Sequence, residues 1–502
     1  MKRINYIIVL LLFIVGVSSC KKSFFDINNN PNQTASASYQ LVLPAALNSV
    51  ASTVSDGLEF SKYWMGFWAV SGGYAPNISE VTFKFSNTYY QGLWSSLYYA
   101  INNLNYVEQS AKSNKDDFYT GISKTMKVYC YQNLVDIYGN IPYSQALQIS
   151  TYPRPKYDDA ASIYKDLFLQ LDTARNLIEN WTADKSAAPT SSSDVMFKGK
   201  QVLWLKFINT LELRLLVRFT GVTKPSYYAN ELALVNNDPN GFLGVGQGAF
   251  VNPGYASDAD AHLNPFYFDY GFSAAGNQAT NYGFYRANSY GVNFFSNTND
   301  PRIQFFYAPY TGSKYAGNDF GVQGSPNNVV SGIGVDANLV ASSNAHTIGI
   351  INSPTQPSPV LTSFESLFLQ AEAAKRGLIS SSYASLFKLA VKESFTYAGL
   401  DTSLASKYYS QNLNLVNIDV STDPLMTILT QKWAAVNVIN PLEVYADYRR
   451  TKIPSDVPGS LNPGAGAIPL RLYYPNSEVT TNPASVAAQG TISLNNKIFW
   501  IP

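Results

Sequence analysis

Apolar residues recur along much of the chain at the spacing of one buried helix face. From Gln91 to Glu108 they fall at Trp94, Leu97, Tyr98, Ile101 and Leu104. From Asp159 to Trp181 they are Ile163, Leu167, Leu171, Ala174 and Ile178. From Gln201 to Thr220 they are Trp204, Ile208, Leu211, Leu215 and Phe219. Ser123–Tyr138 has the same pattern and is expected to stop at Gly139, since glycine tolerates a left-handed cap. Later, Ser363–Arg376 carries Phe364, Leu367, Phe368, Ala371 and Ala374 before Gly377. Pro424–Asn437 and Pro441–Arg450 each open with a proline, which the first turn of a helix accepts. The expected fold class is mainly α, with tetratricopeptide-like helical pairs. No clean repeat of about 34 residues is present, so a regular solenoid is not supported.

Between the helical regions the pattern changes. Residues 236–359 are dense in Gly, Asn, Ser and Pro and have almost no helical period. Connections of that length are usually functional or disordered. This one is too aromatic for disorder, with 18 aromatic residues among the 66 from Tyr255 to Phe320. The expected organisation is a single domain over 40–502. A helical scaffold (40–235 and 360–450) carries a loop-rich, aromatic-rich part (236–359), and loops on a rigid scaffold are where binding residues concentrate.

The N-terminus has its own signature. Lys2 and Arg3 precede an apolar run from Ile4 to Val17, followed by Ser18, Ser19 and Cys20. A charged start, a short apolar stretch and small residues describe a secretory signal. The run is too short to span a bilayer comfortably. The serines and Cys20 resemble a bacterial lipobox, which implies a signal peptide over 1–19, cleavage before Cys20 and its acylation. Several acyl chains would hold the protein on a membrane surface. Lys21, rather than an aspartate, argues against retention at the inner membrane by analogy with lipoprotein sorting. The rest of 20–39 is rich in Asn and Ser and is expected to be a flexible tether.

Composition narrows the chemistry. The net charge is +1 and charged residues make up only 14%, well below the roughly 25% of typical soluble proteins. No basic face points to nucleic acid. Cys130 is the only cysteine besides Cys20, so no disulfide forms within the mature chain, and Cys130 is expected to be a buried, inert thiol. His262 and His346 lie far apart, which makes a histidine metal site or histidine catalysis improbable. No cofactor is expected. Oxygen-rich stretches such as Asn299–Asp300 leave a structural calcium ion open. No nucleophile elbow, zincin, P-loop or dinucleotide fingerprint is present.

Five segments together resemble the SusD/RagB-like nutrient-binding lipoproteins, in the branch called SusD-like type 2. They are YGNIPYSQA (138–146), DPRI (300–303), SFESLFLQAEAAKRG (363–377), QKWAAVNVINPLEVYADYRRTKIP (431–454) and RLYYPNSEVTTNP (471–483). The resemblance implies four tetratricopeptide-like helix pairs with a loop-rich part packed on them. It also implies a non-catalytic role at the outer membrane, facing the cell surface. There the protein would capture an oligosaccharide or other nutrient for a TonB-dependent transporter. A helical-repeat scaffold for envelope proteins and a surface carbohydrate-active enzyme are the competing readings.

Sugar binding needs aromatic faces with a few fixed polar groups beside them. Two stretches offer the mixture. In KYWMGFWAVSGGYAPN (62–77), Trp64 and Trp68 are expected on one helix face, with Tyr74 and Asn77 beyond a Gly-Gly break. Trp68, Tyr74 and Asn77 are the candidates there, Trp64 being the better fit to the core. In NQATNYGFYRANSYGVNFF (277–295) the candidates are Tyr282, Phe284, Tyr285, Arg286 and Tyr290. Strand-like alternation would put Tyr282 and Phe284 on one side and Tyr285 on the other. Arg286 could serve ligand hydroxyls or pair with a surface acid. Glu443 and Asp447, one turn apart, could in principle act as a glycosidase pair. Arg449 and Arg450 beside them favour a salt-bridge network that holds both ionised. Glu365, Glu372, Arg471 and Glu478 are read as structural in the same way.

Overall fold

The computed structural model describes residues 37–339 and 348–502. The signal peptide, Cys20, Lys21, nearly all of the tether and His346 lie outside the described residues. The chain becomes helical at Tyr39, the last residue of the expected tether.

Long helices form the frame. In chain order they begin with α1 (Tyr39–Ser55), α2 (Glu59–Trp64), the single turn α3 (Ile78–Val81), α4 (Gln91–Ser113) and α5 (Asp117–Tyr138). Next come α6 (Ala160–Glu179), α7 (Gln201–Arg218) and α8 (Tyr228–Asn237). The apolar stripes named above point inward: Leu97, Ile101, Leu104, Ile163, Leu167, Leu171, Trp204, Ile208 and Leu211 are all buried. Consecutive helices pack as pairs, α4 on α5 and α6 on α7, with α1 lying along α4. Asp159 caps α6 by accepting a hydrogen bond from the Ser162 amide at 2.9 Å, which satisfies an amide that the first turn leaves free.

The 236–359 region is more ordered locally than its composition suggests. It holds the short helices α9 (Pro265–Tyr270), α10 (Thr280–Phe284), α11 (Ser289–Asn297) and α12 (Ile303–Phe306). Such elements are too short for a helical period to register in sequence. Strands of two to four residues tie the region together as antiparallel pairs. The two that matter for the site are β1 (Trp68–Val70) and β2 (Tyr285–Ala287), which pair with each other. The second half of the frame is α13 (Ser363–Lys375), α14 (Tyr383–Tyr397), α15 (Thr402–Tyr409), α16 (Pro424–Val436) and α17 (Pro441–Thr451). Helix α13 pairs with α14 and packs against α16. Asn440 caps α17 by accepting from the Glu443 amide, while its own amide group donates to Glu365.

Helix α5 ends at Tyr138 as expected, but Gly139 has φ +75° with ψ −122°, outside the left-handed helical basin. The C-terminal segment seals that end. Leu472 N donates to Ile137 O at 3.1 Å, and Arg471 donates to Tyr138 O. Cys130 is fully buried, and burial pushes its thiol up from the ordinary value.

A network of buried charges joins the helix pairs. Arg218 on α7 reaches Asp136 on α5 at 3.1 Å and Glu443 on α17 at 2.5 Å. Lys432 on α16 reaches Glu443 at 2.9 Å and Asp447 at 2.7 Å. Arg450 joins Glu372 on α13 at 2.6 Å and Asp447 at 2.7 Å. Arg214 stands 3.8 Å from Glu365. Asp136 also accepts from the Trp500 indole at 2.9 Å and from the Tyr164 hydroxyl. Glu443 and Asp447 are therefore structural. Burial alone would raise Glu443, but Arg218 and Lys432 hold it well below the usual carboxylate range. Burial would likewise raise Glu372, and Arg450 brings it down to about 2. Glu365 goes the other way. Burial, and then the Glu443 charge, lift it to about 7.

Two outcomes are expected. Glu443→Gln leaves Arg218 and Lys432 underpaired in the interior and lowers stability by about 3–5 kcal/mol, read from chemical denaturation. The pH profile of the melting temperature has two limbs. Glu365 has a raised folded pKa, so the folded state takes up its proton first and stability rises as pH falls from 8 towards 5. Glu372 and Glu443 have depressed values, so their contribution is present above the ordinary 4.5 and is lost as pH falls further. Glu365→Gln reduces the upper limb, to which the raised Asp56, Glu80, Glu212 and Glu231 also contribute, and keeps the acid limb; an unchanged upper limb in that variant would refute this assignment.

Candidate ligand-binding site

The two candidate stretches, far apart in sequence, are hydrogen-bonded neighbours. Trp68 lies opposite Ala287, Ala69 opposite Arg286 and Val70 opposite Tyr285. This arrangement corrects two expectations. Helix α2 ends at Trp64, so Trp64 and Trp68 do not share a helix face. Tyr282 and Phe284 belong to α10 rather than to a strand, so alternation begins only at Tyr285.

The aromatic residues form a stack with an inner and an outer end. Trp64 is fully buried against Phe60, Phe83 and Tyr445. Trp68 is 1% exposed, which puts its ring out of reach of a ligand at the surface. It serves instead as backing. Tyr285 stacks on it at 5.1 Å between centroids, Tyr270 meets it edge-on at 5.0 Å, and the buried Lys62 ammonium sits 4.4 Å from its centroid. Burial lowers Lys62, against the pull of Glu59, Asp56 and Asp269. Tyr285 is half-buried and meets Phe284 edge-on at 4.9 Å. Phe284 in turn meets Tyr74 at 4.6 Å with the rings 67° apart. Tyr74 is 44% exposed and forms the outermost ring.

Polar groups brace this rim from below. Arg286 is buried and has no carboxylate within ion-pair distance among the described residues, so it is not the surface salt bridge considered above. Its Nε donates to Asn327 Oδ1 at 2.9 Å, and its Nη1 donates to Tyr282 O and Tyr285 O. Asn327 also accepts from the Ser71 hydroxyl at 2.5 Å and donates to Gly283 O at 3.0 Å. Gln323 donates to Gly72 O at 2.8 Å and to Tyr74 O at 3.3 Å. The loop 323–327 lies so close to Gly72 that a Cβ there would sit 2.3 Å from Gly324 O. Asn327 and Gln323 are exposed, so both amides border the rings at the surface.

Ser71, Gln323 and Asn327 were not singled out from sequence. The one available signal was the Gly72–Gly73 pair, which marks a close approach without saying what approaches. The structure leaves two candidates outside the cluster. Asn77 is exposed and caps α3 through the Glu80 amide at 3.4 Å. Tyr290 packs edge-on against Trp433 at 5.3 Å and donates to Asp456 at 2.6 Å. Tyr282 lies beside the cluster, with its ring against Phe272 at 5.4 Å. The Asn299–Asp300 stretch offers no free carboxylate, because Asp300 is buried and held by Arg302. A separate groove of about 470 Å³ lies between α4, α5 and α6. Its charged groups answer one another: Glu108 takes Lys124 at 3.0 Å and Lys127 at 2.8 Å.

Over residues 29–475 the chain matches the model of the SusD-like 2 family, described as starch-binding and associating with the outer membrane. No curated protein matches it. Among solved structures, a SusD homologue from Bacteroides uniformis aligns at TM-score 0.72 and 22% identity, covering 92% of this chain and 99% of that one. A SusD-like protein from Bacteroides thetaiotaomicron aligns at TM-score 0.70 and 21% identity, over 92% and 98% of the two chains. A chitin-binding SusD homologue from Flavobacterium johnsoniae aligns at TM-score 0.72 and 21% identity, over 91% and 98%. At these identities the likeness concerns the fold and not the ligand.

The inner and outer ends of the stack should respond differently to truncation. Trp68→Ala opens a cavity in the core and lowers stability by about 3–5 kcal/mol. Tyr74→Ala, at an exposed position, changes stability by about 0.5 kcal/mol or less. Denaturation of the two variants side by side checks the assignment, and equal losses would contradict it.

Proposed function

Because the chain belongs to the SusD-like family of starch-binding proteins that associate with the outer membrane, we propose that it is a non-catalytic capture protein for neutral oligosaccharides. The rim of Tyr74, Phe284 and Tyr285 takes the apolar face of a sugar ring, and the Asn327 and Gln323 amides take its hydroxyls. Trp68 and Arg286 hold that rim in place from beneath. The observation that carries this reading is the pair of exposed Tyr74 and half-buried Phe284, flanked by amides. Flat aromatic faces beside fixed polar groups suit a ligand that is part apolar and part hydroxyl.

The wider role follows from the family and from the N-terminus. Acylated Cys20 anchors the protein to the outer membrane, facing the cell surface, and the captured sugar passes to a TonB-dependent transporter. A lipid anchor agrees with the helices, none of which among the described residues is long and apolar enough to cross a membrane. The candidate carboxylate pair, Glu443 and Asp447, is committed to Arg218, Lys432 and Arg450 in the interior, which favours capture over hydrolysis.

The test uses the chain from Lys21 to Pro502, which contains every described residue. Titration with malto- and chito-oligosaccharides, followed by calorimetry and product analysis, should give saturable binding without cleavage. Tyr74→Ala with Phe284→Ala should weaken binding at least about tenfold, equivalent to about 1.4 kcal/mol, with the melting temperature nearly unchanged. Cleaved products would reject the capture reading. Binding that survives loss of both rings would move the site elsewhere, and a chain that binds envelope proteins but no sugar would be a scaffold.

A further inference from the structure

Helices α6, α7 and α8 converge on a second cluster of charge, unrelated to the aromatic rim. Asp172 and Arg175 lie on α6, Glu212 on α7 and Glu231 on α8, and Asp238 follows directly after α8. Arg175 serves most of them. Its Nη1 is 2.6 Å from Asp172 Oδ1, its Nη2 contacts Glu212 Oε2, and its Nε is 3.1 Å from Asp238 Oδ2. Glu231 has no ion pair with it. Glu231 is 7% exposed and Glu212 0%. Glu231 Oε2 and Glu212 Oε1 are buried without a hydrogen-bond partner.

One carboxylate oxygen from each of Asp172, Glu212 and Glu231 lies within 4.8 Å of the other two. Four carboxylates with a single guanidinium leave three surplus negative charges if all are ionised. Burial and then the Asp172 charge raise Glu231 against the pull of Arg175, and burial raises Glu212 with the charges of Asp172 and Glu231 adding to it. A buried carboxylate oxygen without a partner is costly, and two in one cluster call for a common partner. The site is also open to one. A groove of about 700 Å³ runs alongside, lined by Asp172, Arg175, Asn230, Asn237 and Asp238, so the cluster meets solvent at Asp172, with Glu212 and Glu231 behind it.

We propose that Asp172, Glu212 and Glu231 form a calcium site that braces α6, α7 and α8. An all-oxygen, carboxylate-rich set selects a hard cation. Three carboxylates on three separate helices, with water from the groove completing the shell, suit the flexible coordination of calcium. Magnesium demands near-ideal octahedral geometry and sheds water reluctantly. The ion ties together three helices whose acidic groups otherwise repel one another, while Arg175 keeps its place on Asp172, Glu212 and Asp238. This inference does not depend on the sugar-binding reading.

The test takes the chain from Lys21 to Pro502, strips it with a chelator and titrates it with calcium chloride by calorimetry and thermal melting. We expect one calcium ion per chain, with a dissociation constant on the order of 10⁻³ M or tighter. At tenfold excess the melting temperature should rise by about 1–3 °C, and magnesium should give a clearly smaller rise. Glu231→Gln keeps the side-chain size and touches no guanidinium. It should abolish both the binding heat and the calcium-dependent rise, while melting in chelator no lower than the parent chain. That last result shows that the variant is folded. Absence of heat and shift in the parent chain at about 10 mM calcium would overturn the proposal and leave a cluster that shares protons instead. Calcium binding that persists in Glu231→Gln would overturn it equally, by placing the ion elsewhere.

Discussion

Charges removed from water must be answered by other charges, and in this protein that requirement falls on residues drawn from the whole length of the chain. Asp136, Glu365, Glu372, Glu443 and Asp447 face Arg214, Arg218, Lys432 and Arg450 in the interior. Arg449 joins them through the carbonyls of Asp136 and Leu470 and lies 4.0 Å over the Tyr445 ring. An apolar core of similar volume could hold the same helices with as much stability. A charge network is more selective about geometry, because a helix displaced by one turn would leave ions unpaired. Helices α5, α7, α13, α16 and α17 are held in one arrangement for this reason. The short loops that carry the aromatic rim inherit their positions from it.

The rim shows how such a frame serves a surface. Its outer rings, Tyr74 and Phe284, rest on Tyr285, which rests on Trp68, which rests on Tyr270 and Lys62. Glu59 accepts from the Tyr90 hydroxyl at 2.7 Å and from the Tyr270 hydroxyl, so the innermost layer is again polar, although Lys62 Nζ and Trp68 Nε1 are buried there without a hydrogen-bond partner. Rotamer freedom is lost towards the core and returns only at Tyr74. A flat ligand meeting this surface finds rings that are already oriented.

What could be read from the chain depended on length and repetition. Most of the longer helices announced themselves through their stripes, with ends within about six residues of expectation, as at Gln91–Ser113 and Ser363–Lys375, but α14 did not. The charge-rich run from Gln431 to Pro454 was legible as structural because acids and bases one turn apart have an obvious use for each other. Helix α1 was missed, although Leu43, Ala46, Leu47 and Val50 line its buried face. Trp68 was misplaced because a helix that stops at Trp64 leaves no mark in the residue pattern. The partnership of 68–70 with 285–287 was not legible at all, since pairing of three-residue strands is decided by tertiary packing. Both stretches were nonetheless visible as unusual mixtures of aromatics, glycines and amides, and that part of the reading led to the same patch of surface.

That strand pairing has a consequence for the order in which the molecule can assemble. Helices α4 and α5 are joined by only three residues, Asn114 to Asp116, and can find each other as soon as both have emerged. The Asn288 amide that clasps Trp68 O lies 220 residues further along. Closing so long a loop is slow, because the chain must be confined before the contact rewards it. The helical hairpins therefore form before the recognition surface. A chain cut short before α10 would own its first helical hairpins and, of its rim, only Tyr74.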